Sequence, residues 1–224
     1  MSDIVRRAIL DAADAIEAAR EPLCELDAST GDGDHGVTMA IGARGVRRQL
    51  EAVDGDAPEP LVRAAARGMA GAGGAIGPIY GRGLLAVADV LQADDGRDEA
   101  PDRLLGALAR CVAAAESAIT ELGHAAPGDK TILDALIPTG LALRQAADDA
   151  MPLADGLQTA CAAARAGADS TVEMAATIGR AARFGEGSRG TADPGATSFA
   201  IIVDALVTSA LASVGSHVAD QVDP

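Results

Sequence analysis

Aromatic residues are almost absent from the sequence: one Tyr, two Phe and no Trp occur among 224 residues, although 49% of the residues are hydrophobic. The core must therefore be built from Ala, Leu, Ile and Val, as in closely packed helices. β-branched residues are sparse, and alternation of apolar and polar positions never persists, so no segment predicts a strand. The sequence predicts an all-α protein.

Three further scarcities exclude classes of function. The three cysteines are widely spaced among apolar residues, which indicates reduced, buried thiols and no disulfide or zinc site. No apolar run approaches the roughly 20 residues of a membrane span, and the N-terminal segment lacks the apolar region of a signal peptide, so we expect a cytoplasmic protein without a membrane partner. The net charge is −15 and no basic cluster exceeds Arg47-Arg48, which argues against nucleic acid as a partner.

Apolar residues at three-and-four spacing predict about eight helices joined by short loops, in a single domain covering residues 1–224. Such a chain forms an antiparallel bundle or barrel. Proline and glycine-rich breaks separate the helices. The predicted segments are about 3–19, 37–53, 60–70, 83–93, 102–122, 131–150, 153–166, 169–181 and 196–214.

The most informative stretch is an acidic loop in which Asp27, Asp32 and Asp34 fall within eight residues, interleaved with glycines. Carboxylates this close repel one another unless a cation joins them, and Mg²⁺ or Ca²⁺ prefers such oxygen ligands. The helix predicted from Val37 places free N–H groups beside the acids, and these favour an anion. The loop therefore predicts a Mg²⁺–phosphate site, and an acidic surface turn is the alternative.

Three other loops carry unusual residues: the glycine-rich 71–83, then 123–130 and 183–195. Residues 71–83 could form a flexible linker, but their apolar content favours a tight loop pressed against a ligand or a helix. In an up-and-down bundle every second loop lies at the same end. If the four loops share an end, they form one pocket suited to a nucleotide.

Four ordered motifs together resemble the L subunit of dihydroxyacetone kinase, its nucleotide-binding module, over nearly the whole chain. They are Gly31-Asp-Gly-Asp-His-Gly36, Gly73-Gly-Ala-Ile-Gly-Pro78, Pro127-Gly-Asp-Lys-Thr131 and Asp193-Pro-Gly-Ala-Thr-Ser198. The resemblance implies a barrel of eight antiparallel helices with the nucleotide site in the loops at one end. This agrees with the helix count.

The resemblance also implies site residues. The three aspartates, Asp27, Asp32 and Asp34, would ligate two Mg²⁺ ions that bridge the phosphates of ADP or ATP. Family members often have Ser at the position of Ile76, so a hydroxyl contact is lost there, although a backbone N–H could still serve. The residues implied to contact the nucleotide are His35, Gly36, Val37, Thr38, Ala75, Ile76, Gly123, Ile132, Arg180, Asp193, Pro194 and Gly195.

Several of these residue types also have ordinary structural explanations. Arg180 could be a surface cation of a helix, but its Ile-Gly-Arg-Ala context favours a nucleotide role. His35 could be a general base, although its place in the first helical turn favours a phosphate or capping role. Lys130 could bind phosphate, cap a helix or face solvent, and Asp129 is expected to cap the helix beginning at Thr131.

The resemblance implies a phosphotransferase that works with partner subunits. A separate K subunit would hold dihydroxyacetone, and an M subunit of a phosphotransferase system would rephosphorylate bound ADP. Alternatives are an ATP-dependent kinase subunit for a ketose such as erythrulose, the related N-terminal module of fatty-acid kinase, and a regulator that binds a transcription factor. The sequence leaves open whether the protein is a monomer or a homodimer.

Overall fold

The computed structural model describes residues 3–93 and 101–219, and within them it contains nine α-helices, two short 3-10 helices and no strand. The all-α prediction is confirmed. The polar break predicted near residues 94–100 lies outside the described residues. The α-helices are α1 (Ile4–Ala18), α2 (Arg20–Ala28), α3 (His35–Glu51), α4 (Pro58–Ala70), α5 (Ile76–Ala93), α6 (Pro101–Gly123), α7 (Leu133–Asp148), α8 (Leu153–Ser170) and α9 (Pro194–Ala219).

Eight of these helices form a closed ring. From α3 to α9 each helix packs against the next one in the chain, α9 packs against α1, and α1 packs against α3. The short helix α2 lies outside this sequence of neighbours and packs against α3. The ring is the antiparallel eight-helix barrel that the sequence predicts.

Small and aliphatic side chains fill the main core. The fully buried residues of α3 and α4 include Met39, Leu61 and Ala64. These two helices cross closely at Gly45 and Gly68, where a Cβ on Gly45 would meet the Gly68 carbonyl carbon at 3.1 Å. A core with so few bulky aromatic residues requires such close backbone contact to avoid voids.

The alternating direction of the helices brings four connections to one end of the barrel. They are the loop before α3, the loop between α4 and α5, the loop between α6 and α7, and the long segment from 171 to 193 between α8 and α9. We call this last segment the connector. It contains the 3-10 helices Thr171–Glu173 and Ala181–Ser188.

Two sequence predictions about these segments are wrong. Residues 76–83, predicted as part of a loop, form the start of α5, and their glycines contact neighbouring helices: Gly81 faces Ala70 of α4 and Gly83 faces Ile119 of α6. The helix predicted at 169–181 does not form. Instead α8 ends at Ser170 and the short 3-10 helix Thr171–Glu173 follows. Helix α3 begins at His35, two residues before the predicted start.

The described segment Pro194–Ser213 of α9 is long and apolar enough to cross a membrane by length and composition alone. The sequence predicts no apolar run as long as a membrane span, and this helix is an exception to that prediction. One such helix is weak evidence for a membrane span, because a core helix passes the same test. Here α9 packs against α1 and α8 and closes the ring.

Candidate nucleotide site

Side chains from the four connections meet at one end of the barrel. Ser29 Oγ lies 3.3 Å from Thr191 Oγ1, which joins the acidic loop to the connector. Tyr80 of α5 reaches Ser198 in the first turns of α9, with 3.1 Å between the two hydroxyl oxygens. The loop after α6 contacts the connector through Asp129 and Thr177. The acidic loop and the loop after α6 therefore both contact the connector, and Tyr80 of the predicted loop 71–83 reaches the start of α9.

The three aspartates of the acidic loop form a compact cluster. One oxygen from each of Asp27, Asp32 and Asp34 lies within 4.8 Å of the others. Asp27 is fixed in place because its Oδ2 accepts N–H bonds from Asp34, at 3.0 Å, and from His35, at 3.3 Å. Asp32 and Asp34 are exposed. Three oxygen donors at this spacing suit a hard divalent cation.

The charges of this cluster are only partly balanced. Arg180 of the connector forms ion pairs with Asp32 and with Asp34, the second at 3.5 Å. Burial alone would raise the pKa of Asp32, but the charge of Arg180 holds it below its usual value. Burial and the neighbouring charge of Asp32 raise the pKa of Asp34. One cation therefore does not relieve the repulsion among three carboxylates, and a metal ion would.

The start of α3 offers backbone donors beside this cluster. In the part of the chain that the structure describes, the N–H groups of Gly36 and Val37 have no hydrogen-bond partner. The N–H of Thr38 is already bonded to the Asp34 carbonyl at 2.9 Å, and that of His35 to Asp27. Of the four residues predicted to contact phosphate, two therefore keep free N–H groups, while Thr38 has its hydroxyl to offer.

His35 points into the protein. Its side chain is buried, with Nε2 3.1 Å from Ser198 Oγ, and the same Ser198 oxygen meets Tyr80. Burial lowers the pKa of His35 to about 4, and it raises the pKa of the fully enclosed Tyr80 hydroxyl. The imidazole is thus neutral at pH 7 and joins the starts of α3, α5 and α9. The sequence indicated neither Tyr80 nor Ser198 as part of this network.

The predicted Asp193, Pro194 and Gly195 form the beginning of α9. Asp193 is its N-cap, since Oδ2 accepts the Ala196 N–H at 2.7 Å, and Pro194 occupies the first helical position. Burial raises the pKa of Asp193 to about 7. A Cβ on Gly195 would lie 3.7 Å from the Ile132 backbone nitrogen, so Ile132 borders this turn.

The remaining predicted residues lie at helix ends without direct contact to the acidic cluster. Ala75 precedes α5 and Ile76 begins it, with the Ile76 side chain packed on the core. Gly123 is the last residue of α6 and is exposed. Asp129 does not cap α7 as predicted: it accepts the Ala126 N–H at 2.6 Å, while Asp134 accepts the Thr131 N–H at 2.7 Å.

Lys130 occupies a position that the sequence did not predict. It is 3% exposed, and its Nζ lies 2.6–2.8 Å from the carbonyl oxygens of Thr171, Ser188 and Thr191 and 3.2 Å from that of Met174. It therefore neither faces solvent nor points at the acidic cluster. Two of these carbonyls, those of Thr171 and Met174, lie where the sequence predicted a helix, and the other two lie in the predicted loop 183–195.

The family model of the DAK2 domain matches residues 29–208, which include the site residues described above except Asp27. The chain belongs to the DAK2 domain family. Among sequence relatives, the ADP-binding subunit DhaL of the PEP-dependent dihydroxyacetone kinase of Escherichia coli is 32% identical over 198 residues, covering 88% of this chain and 91% of that subunit. The L-erythrulose kinase of Pectobacterium atrosepticum is 39% identical over 220 residues, 95% of this chain and 36% of that enzyme.

A solved structure of a DAK2-family relative shares the fold. The dihydroxyacetone kinase of C. freundii in complex with AMP-PNP and Mg²⁺ aligns with a TM-score of 0.67 at 26% identity, over 93% of this chain and 34% of that one. The present chain thus spans nearly a whole DhaL subunit, but only about a third of the erythrulose kinase and of the C. freundii enzyme. The fold is shared with the C. freundii enzyme, and the E. coli relative is an ADP-binding subunit.

Proposed function

We propose that this chain is the nucleotide-binding subunit of a kinase for a small ketose, with dihydroxyacetone as the first candidate substrate. The observation that carries the proposal is the Asp27, Asp32 and Asp34 cluster, placed beside free N–H groups at the start of α3 and facing Arg180. Residues 1–224 would act as one nucleotide-binding domain in the cytoplasm.

In the proposed mechanism the protein positions phosphates and neutralises their charge. The three aspartates would hold two Mg²⁺ ions, which offset the charge of the phosphoryl group when bound. The N–H groups of Gly36 and Val37 would donate to phosphate oxygens. Arg180 would exchange part of its carboxylate contact for a phosphate contact. Residues proposed to line the rest of the nucleotide are Ala75, Ile76, Gly123, Ile132, Asp193, Pro194 and Gly195.

The sugar would be held by a second subunit. Among the described residues, His35 is the histidine that adjoins the acidic cluster, and its ring is buried against Ser198 and does not face a sugar there. We therefore propose a K-type partner that presents the sugar to this end of the barrel. The PEP-dependent DhaL relatives favour an M-type subunit that rephosphorylates bound ADP.

Erythrulose is the second candidate substrate, supported by the 39% identity to an L-erythrulose kinase. That relative is three times as long, whereas the DhaL subunits match this chain in length. Bound ADP that survives extensive dialysis would support the phosphotransferase version. Rapid exchange of that ADP with labelled ATP would support an ATP-dependent kinase of either sugar.

Calorimetric titration with ADP, with and without Mg²⁺, tests the site. We expect Asp32→Ala to weaken Mg²⁺-dependent binding by on the order of a hundredfold, because one carboxylate leaves a metal–phosphate site. The matched control is Asp155→Ala, which removes an exposed carboxylate from the first turn of α8 at the opposite end. Wild-type affinity in Asp32→Ala would show that the cluster is not the site.

A further inference from the structure

The connector is held to the barrel mainly by polar contacts. It spans residues 171–193, and its largest apolar side chain, Phe184, is 49% exposed. Ile178 packs on the main core, and Thr177 bonds to Asp129. Segments with few buried apolar contacts open at low free-energy cost. Because the connector carries Arg180, its stability decides whether that arginine stays opposite the acidic cluster.

Lys130 makes the densest set of contacts with this segment. Its three N–H groups match the three closest carbonyl oxygens, those of Thr171 at the start of the connector and of Ser188 and Thr191 near its end. One ammonium group therefore ties together residues that are 20 positions apart in the chain. Other hydrogen bonds also join the two ends within the connector: Gly190 N–H to the Val172 carbonyl, Asp193 N–H to Thr171 Oγ1 and Ala176 N–H to Ser188 Oγ, each at 2.8 Å, and Arg189 to the Glu173 carbonyl. Lys130 differs from them because it lies outside the connector and joins both ends to the loop before α7.

We infer that Lys130 is a positioning residue of the nucleotide site: it gathers the two ends of the connector and so holds Arg180 over Asp32 and Asp34. The inference rests on the proposed function, since it assigns Arg180 to the same Mg²⁺–nucleotide site. Lys130 does not contact the nucleotide in this arrangement. It acts through the connector.

The chemistry of the contact explains why a cation is needed. A buried ammonium loses its hydration, and burial lowers the pKa of Lys130, but three short bonds and the nearby charge of Asp193 compensate. Without the ammonium, the Thr171 carbonyl would keep only the Met174 N–H, at 3.1 Å, and the carbonyls of Ser188 and Thr191 would lose this donor. Leaving such groups unpaired costs more than the bonds themselves gain, so the connector would open toward water.

Limited proteolysis detects this opening of the connector and requires no nucleotide. Trypsin can cut the connector after Arg180, Arg183 and Arg189. We expect cleavage at these bonds, followed by mass spectrometry, to become at least roughly tenfold faster in Lys130→Met and to stay near the wild-type rate in Lys130→Arg, which keeps charge and donors. The matched control, Arg165→Met on the exposed face of α8, should leave it unchanged. Wild-type cleavage in Lys130→Met would overturn the inference.

A double-mutant cycle on Mg²⁺-ADP affinity separates positioning from general loss of stability. If Lys130 acts through Arg180, Arg180→Ala should lower the affinity of the wild type by about tenfold or more, but that of Lys130→Met by less than about twofold. Equal losses in the two backgrounds would contradict the inference. If the wild type binds no Mg²⁺-ADP, the proposed function fails, and proteolysis still decides the role of Lys130 in the connector.

A labelling experiment on the unaltered chain covers the case in which Lys130→Met does not fold. Lys130 is the only lysine among the 18 basic residues, so this sequence contains a single side-chain amine. Reductive methylation should modify Lys130 at least roughly a hundredfold more slowly in the native chain than in the denatured chain. Equal rates for Lys130 in the native and denatured chain would show that the ammonium is not enclosed.

Discussion

At the scale of single residues, the imidazole of His35 lies inside the barrel and not at its surface. Its motif places it among metal-binding and phosphate-binding residues, yet the ring is turned toward Ser198 and away from the acidic cluster. A neutral imidazole fits this buried position, whereas a protonated one must either be desolvated or break the contact with Ser198. The protein should therefore be sensitive to mild acid at this residue.

The pH dependence of stability tests this description. The pKa of His35 falls from 6.5 to about 4 on folding, so the unfolded chain binds more protons between these values. The native state thus keeps its full stability above pH 6.5 and loses it as the pH falls toward 4. From the shift we expect the free energy of unfolding, measured with urea, to drop by on the order of 2 kcal/mol between pH 7 and pH 5.

Two variants check that assignment. His35→Gln keeps a nitrogen donor for Ser198 but does not titrate, so its stability should change much less between pH 7 and pH 5. His124→Gln, which replaces the exposed histidine after α6, should keep the wild-type dependence. An unchanged pH dependence in His35→Gln would show that other groups are responsible.

At the scale of elements, helix α3 links the site to the packing of the barrel. Its second residue, Gly36, lies against the carbonyl oxygen of Arg20 in α2, and a Cβ there would overlap that oxygen and lie 3.0 Å from the sulfur of Cys24. The small residue therefore allows α2 to pass close beside the start of α3. The Gly36 N–H, which has no hydrogen-bond partner among the described residues, belongs to the proposed phosphate site.

Gly36→Ala should accordingly destabilise the fold. We expect a loss of about 2 to 3 kcal/mol in the free energy of unfolding, because backbone atoms cannot move aside as a side chain can. Gly123→Ala is the matched control, since a Cβ at that helical position meets nothing within 4 Å and should change stability by less than about 0.5 kcal/mol. Thermal or urea unfolding of both variants gives the comparison, and equal stabilities would contradict the packing argument.

Helical periodicity was sufficient to predict the elements that lie between apolar neighbours, such as α1, α6 and α8. It failed where long-range contacts decide the backbone. Glycines between 76 and 83 suggested a loop because their contacts with Ala70 and Ile119 cannot be seen in the local sequence. The first part of the connector was predicted as a helix, within 169–181, because nothing local shows that Lys130 would bind the carbonyls of Thr171 and Met174. The acidic cluster was predictable because its three carboxylates are close together in the sequence.

At the scale of the whole molecule, the barrel presents one functional end and encloses a core of its own. The relatives show the same module both as a nearly complete subunit and as about a third of a longer enzyme. The described end of this barrel supplies carboxylates, backbone donors and an arginine, which suit phosphates better than a neutral ketose.

The chain alone should therefore not phosphorylate a ketose. We expect no transfer to dihydroxyacetone or erythrulose with Mg²⁺-ATP, or with ADP and a phosphorylated M-type protein. Transfer should begin when a K-type sugar-binding subunit is added, measured as sugar phosphate by mass spectrometry. Asp32→Ala should abolish the restored activity, and Asp155→Ala should not. Turnover by the isolated chain would show that it holds a complete active site.

The contact of Tyr80 with Ser198 has a spectroscopic consequence. Tyr80 is the only tyrosine of a chain without tryptophan, so the intrinsic fluorescence near 300 nm, about the usual emission of a phenol ring, comes almost wholly from this side chain. Its hydroxyl is two hydrogen bonds away from His35 at the start of α3. The molecule therefore contains one natural fluorophore at the end of the barrel where a nucleotide would bind, and adenine nucleotides do not emit at that wavelength. Binding can be followed in the unlabelled protein as a change in the intensity of a single residue.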